Sequence, residues 1–119
     1  MSYPFEYGDR TLWDAGYHSG QLYVSLARGA AGFLEVRSGL TPTPQGGCAV
    51  DREEFQAFVQ RLYELCTPGS NEVLRELGHG LLVTSLVLLD RVGARITVRA
   101  EDTKALAEAK ARFARTMAS

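Results

Sequence analysis

The sequence predicts an α+β domain in which two helices pack on an antiparallel sheet of four to five strands, in the order β-β-(β)-α-β-β-α. Two observations lead to this prediction. Residues 51–66 have helical periodicity with a clear start and stop, and the segments on both sides alternate between apolar and polar residues, as paired strands do. Hairpins on either side of a helix, followed by a second helix, pack naturally as one sheet covered by helices.

Composition places the chain among ordinary globular proteins. Its 119 residues are 45% hydrophobic and 23% charged, which fits a single domain over residues 1–119 with one core. The net charge of -1 argues against a nucleic-acid partner, because such binders carry a basic excess. Eleven arginines against two lysines are typical of a GC-rich bacterial genome. We therefore expect a small bacterial globular protein.

No targeting or membrane segment is predicted. Residues 1–9 contain neither a basic region nor an apolar run, so they do not have the pattern of a signal peptide. The longest apolar stretch, residues 81–89, is about half the length that a membrane span needs. Two cysteines without an export signal predict free thiols in a reducing cytoplasm. We expect a cytoplasmic protein with no membrane partner and no disulfide between Cys48 and Cys66.

The N-terminal third is predicted to contain a loosely ordered first segment, a short strand and a hairpin. Residues 1–9 are expected to be loosely ordered, and residues 10–18 to form a short strand. Residues 21–27 alternate between apolar and polar side chains, glycines follow, and residues 33–37 alternate again. This pattern predicts an antiparallel hairpin.

Residues 38–49 and the helix that follows are the next units. Three glycines and two prolines in residues 38–49 predict a flexible loop. Asp51 then provides an N-cap for the backbone N–H of Glu54, and Glu54 is placed to reach back in a capping box. Pro68 ends the helix, because it cannot continue the hydrogen-bond ladder. One helix face carries the predicted core residues Phe55, Phe58, Val59, Leu62 and Cys66, and the opposite face carries Gln56, Gln60, Arg61 and Glu64.

The C-terminal half is predicted to contain a second hairpin and a final helix. Residues 70–78 are expected to form a short helical turn, and residues 81–89, apolar on both faces, a central buried strand. Residues 94–100 alternate clearly and are expected to pair with that strand as a hairpin. Asp102 is expected to cap a last helix that runs to about Met117.

The residues that could support catalysis are each better accounted for by a structural role. His18 and His79 are the only side chains that normally titrate near neutrality, and both lie beside turn or anchor residues. Cys48 lies in the predicted loop and would be a reactive thiol only beside one of those histidines. The cysteines have no zinc-ligand spacing, and no phosphate loop is present. We expect no metal, no cofactor and no enzyme; a small enzyme that uses Cys48 or a histidine is one alternative.

Binding to a protein partner is the favoured functional class. The chain begins with several aromatic residues, and the predicted strand near its C-terminal end has an arginine-bearing outer face. Large aromatics and arginines contribute most to interface energies. The candidate contact residues are Trp13, Tyr17, Arg95 and Arg99; the two arginines are also accounted for, and more simply, by a role in keeping an outer strand soluble.

A resemblance to known families suggests the kind of partner. The segment over residues 50–100 has apolar residues at helical spacing, then the apolar strand and then Asp90-Arg91-Val92-Gly93-Ala94-Arg95-Ile96-Thr97-Val98. It resembles families of small bacterial proteins that include immunity proteins, which neutralise a secreted toxin. That resemblance implies a toxin or effector as partner. Families that neutralise nuclease toxins often have strongly acidic surfaces, so a net charge of -1 leaves the toxin class open.

The element order after residue 20 is also similar to that of small type III secretion chaperones. Those proteins are dimers that bind an extended segment, and they begin with a helix that is not predicted for this chain. This resemblance implies a homodimer and is the second alternative.

Overall fold

The computed structural model describes residues 1–67 and 71–119, and within them the chain forms a four-stranded sheet and four helices. The elements in chain order are β1 Ser2–Tyr7, β2 Arg10–Gly16, α1 Tyr17–Leu34, β3 Leu40–Thr43, β4 Gly47–Val50, α2 Arg52–Cys66, α3 Glu72–Arg91 and α4 Ala100–Ala114. The predicted α+β class is confirmed. The sheet is mixed rather than purely antiparallel, and four helices take the place of the predicted two.

The sheet has the strand order β2-β1-β4-β3. The pairs β1–β2 and β3–β4 are antiparallel hairpins, and β1 joins them by pairing in parallel with β4, where Phe5 lies opposite Cys48. Tyr3 and Phe5 of β1 are buried while Glu6 is exposed, so one face of the strand points into the core.

Aromatic side chains connect this inner face to α1. The Phe5 ring stacks on Trp13 of β2 with 5.0 Å between centroids, and both rings meet Tyr23 of α1 edge to face. Helices α2, α3 and α4 then pack in succession, α3 between the other two. The core therefore extends from the sheet through α1 and α3.

The predicted loose terminus at residues 1–9 is corrected, because residues 2–7 form β1 at an interior position of the sheet. Its aromatic residues, which suggested an exposed start, include Tyr3 at 5% and Phe5 at 0% exposure. The strand predicted over residues 10–18 is confirmed as β2 over Arg10–Gly16, and residues 17 and 18 begin α1.

The predicted hairpin over residues 21–37 is wrong, because most of this stretch is α1. Apolar residues occur on two sides of this helix, and their positions happen to alternate within residues 22–26. The helix ends without the usual glycine: Glu35 adopts the left-handed conformation (φ 58°), and the N–H groups of Glu35 and Val36 bond back to Gly32 and Ala31. This is a Schellman motif, whose sequence signal is normally glycine.

The predicted flexible loop at residues 38–49 is a hairpin instead. β3 and β4 pair from Leu40 opposite Val50 to Thr43 opposite Gly47, and Gly46 closes the turn with φ 84°. Pro42 is tolerated in β3 because it is an edge strand, which needs donors on only one side.

The predicted helix after Asp51 is confirmed as α2. The Asp51 side chain accepts from the N–H of Glu54 at 2.9 Å, and all five predicted core residues of this helix are buried. Its predicted stop at Pro68 lies outside the described residues.

The predicted strand at residues 81–89 is wrong, because this stretch is the second half of α3. Asn71 caps α3 through bonds to Val73 and Leu74, and the helix continues without a break into the apolar run. An apolar run on both faces is equally typical of a helix packed on several sides. Since α3 contacts α1, α2, α4 and β2, the helical interpretation holds. The predicted turn at residues 70–78 is the start of α3 from Glu72 onward; residue 70 is not among the described residues.

The predicted return strand at residues 94–100 has no strand to pair with. Residues 94–99 belong to no sheet, and α4 begins at Ala100 with Arg99 as its N-cap. Asp102 therefore does not cap α4; it accepts a hydrogen bond from the Tyr63 hydroxyl at 2.5 Å.

The outer edge of β2 is covered by distant parts of the chain. Arg91 donates to the carbonyl of Leu12 at 2.8 Å, Arg10 donates to the carbonyl of Arg91 at 2.7 Å, and the N–H of Asp14 donates to the carbonyl of Ala118 at 2.8 Å. The bonds at Leu12 and Asp14 occupy backbone groups of β2 through which another chain would otherwise pair.

Candidate functional site

Helix α1 carries an apolar stripe on its solvent side. Leu22, Leu26 and Phe33 are 61%, 52% and 73% exposed, and Gly29 lies between them. At 3.6 residues per turn these four positions fall within about 60° of one another, opposite the residues that α1 buries. We call these four residues the α1 stripe. A helix that is apolar on both its buried and its exposed side is unusual for a free surface.

Most residues around the α1 stripe are small. A Cβ added at Gly29 or at Gly32 would meet nothing within 4 Å, so the centre of the helix surface is open. Ser19, Ser25 and Ala30 are small neighbours on the helix, and His18, one turn before Leu22, is a larger polar neighbour. Small neighbours let the backbone of another element approach closely, and uncharged ones avoid a desolvation cost.

A groove between α3, α4 and residues 94–98 is the second candidate. It encloses about 430 Å³ and has a mostly apolar lining. Ion-pair partners Asp90 and Lys110, 3.4 Å apart, stand in its wall. We call it the α3–α4 groove; its lining residues are Leu86, Leu89, Asp90, Ala94, Arg95, Ile96, Val98, Thr103, Leu106, Ala107 and Lys110.

Side chains of α2 hold one wall of this groove in place. Gln56 donates to the carbonyl of Arg95, and Gln60 both donates to the carbonyl of Thr97 at 3.1 Å and accepts from its N–H at 2.7 Å. The Tyr63 hydroxyl accepts from the N–H of Arg99 at 2.9 Å. The sequence predicted that the two glutamines face solvent. Instead, they bond to backbone groups of residues 94–99 that a neighbouring strand would otherwise bond.

Two of the predicted contact residues lie at or near the core. Trp13 is 8% exposed and stacked on Phe5, so it is not a surface aromatic. Tyr17 is half-buried, with its ring against Tyr3 and His18. The aromatic N-terminus is thus used for packing, and the exposed large apolar side chains of the helices lie on α1 and on the first part of α3, where Val73 and Leu77 are 65% and 77% exposed.

The other two predicted contact residues, Arg95 and Arg99, are exposed on the segment that borders the α3–α4 groove. Arg99 lies 3.8 Å from Glu101. Within the part of the chain that the structure describes, no hydrogen bond, ion pair or ring contact joins either arginine to Trp13 or Tyr17.

The cysteine and histidine candidates are separate in their contacts. Cys48 is buried in β4, and burial raises the pKa of its thiol to about 12. His18 and His79 are exposed, and their rings lie against Tyr17 and Phe113. Over residues 1–67 and 71–119, neither histidine makes a hydrogen bond with Cys48 and no group of side chains has the makings of a metal site. Cys48 and Cys66 are both free.

Comparison with models of protein families assigns the chain to a family. The model of the DUF6086 family, a family of unknown function, matches residues 1–119. The chain belongs to the DUF6086 family. No curated protein and no solved structure matches this DUF6086 chain.

The surfaces of this DUF6086 protein are therefore the guide to its function. None of the helices over the described residues is long and apolar enough to cross a membrane. The α1 stripe was missed in the sequence because its residues were assigned to a strand. Its signal is the 4-3-4 spacing of Leu22, Leu26, Gly29 and Phe33 among alanines, which is the spacing of a helix that packs on another.

Proposed function

We propose that this protein is a protein-binding domain that neutralises or regulates a partner, in the manner of immunity proteins, and that the α1 stripe is its principal contact surface. The observation that supports this proposal most directly is the exposure of Leu22, Leu26 and Phe33 on one side of a well-packed helix. Apolar patches on a folded surface are typical of interaction sites.

The energetic gain from covering the stripe is considerable. A fully buried leucine or phenylalanine side chain gains about 1.5–3 kcal/mol, so burial of the exposed fractions of these three gains about 4 kcal/mol in total. Association has its own entropic cost, so the stripe would be the centre of a larger interface. His18 lies one turn before Leu22 at the end of the stripe, Gln21 and Arg28 lie farther round the helix, and the three would form part of a polar rim.

The immunity-like role rests on the sequence resemblance over residues 50–100. Its helical part coincides with α2, whereas the apolar strand of that pattern is the second half of α3. The likeness to secretion chaperones rested entirely on the element order after residue 20, where the described residues form α1, β3, β4, α2, α3 and α4 in place of the predicted strands, so the heterologous partner is favoured over the chaperone-like homodimer. Cys48 supports an enzyme less well, because its thiol is buried and protonated at neutral pH.

Site-specific photo-crosslinking in the native organism tests this proposal. A photoreactive benzoylphenylalanine replaces Leu26 in one strain, and Ala105, which is exposed on α4, in the control strain. The expected result is one dominant crosslinked protein from position 26 that is missing from position 105. A product with the mass of two copies of this chain favours the homodimer instead.

A matched pair of variants separates binding from folding. Leu26→Asp is expected to abolish the crosslinked product formed from a photoreactive group at position 22, and Ala105→Asp to preserve it. Both variants should melt close to the parent protein, because both sites are exposed. Equal crosslinking at positions 26 and 105, or retention of the product in Leu26→Asp, contradicts the proposed interface.

A further inference from the structure

The segment of residues 94–99 behaves as a single strand that lacks a neighbour on one side. Arg95, Thr97 and Arg99 direct backbone groups toward α2, where side chains of that helix bond to them. Bonding at every second residue is the pattern of a β-ladder, in which successive residues point their N–H and C=O groups to opposite sides. Along this edge the carbonyls of Arg95 and Thr97 and the N–H groups of Thr97 and Arg99 are therefore bonded to side chains in place of a strand.

The opposite edge carries backbone groups without a protein partner. No hydrogen bond within residues 1–67 and 71–119 reaches the N–H or C=O of Ile96 or Val98. Because buried backbone groups are almost always paired, these groups must face water. By alternation they point away from α2, toward the side on which α4 forms the far wall of the α3–α4 groove.

The floor and the rim of the groove have complementary chemistry. Leu86, Leu89 and Leu106 give it an apolar floor, and its volume of about 430 Å³ accommodates a few side chains. Arg95 stands at the rim with an exposed guanidinium group, and it forms no ion pair with any residue that the structure describes. The rim therefore favours a negative charge on whatever enters.

We propose that the α3–α4 groove binds an extended peptide segment of a partner protein by strand addition along Ile96 and Val98, with apolar side chains on the groove floor and an acidic residue against Arg95. A peptide backbone supplies alternating donors and acceptors at the spacing these two residues present, and strand addition to a free edge is a common mode of peptide recognition. A fatty acid would leave the same groups unpaired. This site is independent of the α1 stripe.

A pool of heptapeptides is the probe. Each peptide carries leucine, isoleucine, valine or phenylalanine at alternate positions and one terminal aspartate or glutamate. Binding is measured by backbone amide NMR of the full chain. Binding members are expected to shift the amide signals of Ile96 and Val98 and to slow their hydrogen exchange. N-methylation of the backbone nitrogens that face the protein should weaken binding about tenfold, because two or more hydrogen bonds are lost.

Variants then test the groove itself. Ala107→Arg fills the groove and should abolish peptide binding, whereas Ala105→Arg, on the other side of α4, should leave binding unchanged. Arg95→Glu should reverse the charge preference, so that peptides with a terminal lysine bind better than those with an aspartate. The proposal is overturned if no member of the pool protects the two amides, if N-methylated peptides bind equally well, or if Ala107→Arg binds as the parent does.

Discussion

Replacement of Ser85 by alanine removes the acceptor of a buried tyrosine. The hydroxyls of Tyr23 and Ser85 are 2.7 Å apart, and Ser85 donates to the carbonyl of Leu81, also at 2.7 Å. Because the single proton of the serine hydroxyl is used for Leu81, the Tyr23 hydroxyl must donate to Ser85. Both residues are buried, so water does not replace a lost partner. Burial also raises the pKa of Tyr23, and its hydroxyl therefore remains a donor well above neutral pH.

The two single variants are expected to differ. Ser85→Ala leaves the Tyr23 hydroxyl buried without an acceptor, which costs about 1–3 kcal/mol of unfolding free energy. Tyr23→Phe leaves Ser85 bonded to Leu81, so its cost is about 0.5–1.5 kcal/mol. In the double variant no buried polar group is left without a partner, so the loss of unfolding free energy should be close to that of Tyr23→Phe alone. The expected coupling energy therefore equals the cost of Ser85→Ala, about 1–3 kcal/mol.

Urea denaturation at neutral pH, followed by far-ultraviolet circular dichroism, measures the unfolding free energies of the parent, the two single variants and the double variant. Together these four values form a double-mutant cycle. Equal slopes of unfolding free energy against urea confirm that only stability has changed. If the costs of the two single substitutions simply add in the double variant, the buried hydroxyl pair makes no coupled contribution and the assigned hydrogen bond from Tyr23 to Ser85 is refuted.

Three further outcomes are expected. Gly39→Ala should lower stability by about 2–4 kcal/mol, since Gly39 has φ 75° and an added Cβ would lie 2.5 Å from the backbone nitrogen of Phe55. Phe58→Ala and Leu62→Ala should each cost about 2–5 kcal/mol in thermal or urea unfolding, because both side chains are buried in the core. Burial raises the pKa of Cys48 to about 12, so the thiol ionises more readily in the unfolded chain; its stabilising contribution is complete below about pH 8.5 and is lost as pH rises toward 12. The unfolding free energy at pH 10 should therefore be about 1–2 kcal/mol below that at pH 7.

Matched controls isolate each effect. Gly46→Ala also places alanine at positive φ but meets nothing within 4 Å, so it should cost less than Gly39→Ala. Leu22→Ala, on the exposed α1 stripe, should change stability by less than about 0.5 kcal/mol, unlike the two core substitutions. Cys48→Ala should make the decline above pH 8.5 shallower. An unchanged slope in that variant would assign the decline to other groups.

Local signals in the sequence were sufficient where the residues interact within one element. The Asp51 cap and the core-facing residues of α2 required only neighbours on the same helix, and they were predicted correctly. For α1 and α3 the decisive information lies outside the element. Residues 81–89 are helical because α3 is surrounded by other elements, and α1 ends at Glu35, which has no glycine signal.

The candidate site was predictable only in part, for the same reason. Residues 94–99 have the alternation of a strand and are bonded like one, but the missing neighbour is replaced by Gln56 and Gln60, which no propensity reveals. Exposure of Arg95 followed from that alternation. Trp13 could not be placed, since its burial depends on Phe5 and Tyr23 from other elements.

The covered edge of β2 has a consequence for synthesis on the ribosome. Its partners are Arg91 and Ala118, and Asp14 is roughly a hundred residues ahead of Ala118 in the chain. At about 5–20 residues per second, the nascent N-terminal hairpin waits roughly 5–20 s before those partners have been translated. During that interval its backbone donors and acceptors are open to neighbouring nascent chains on the same polysome. The edge of β2 thus stays open to pairing with other chains until Arg91 and Ala118 have been synthesised and can cover it.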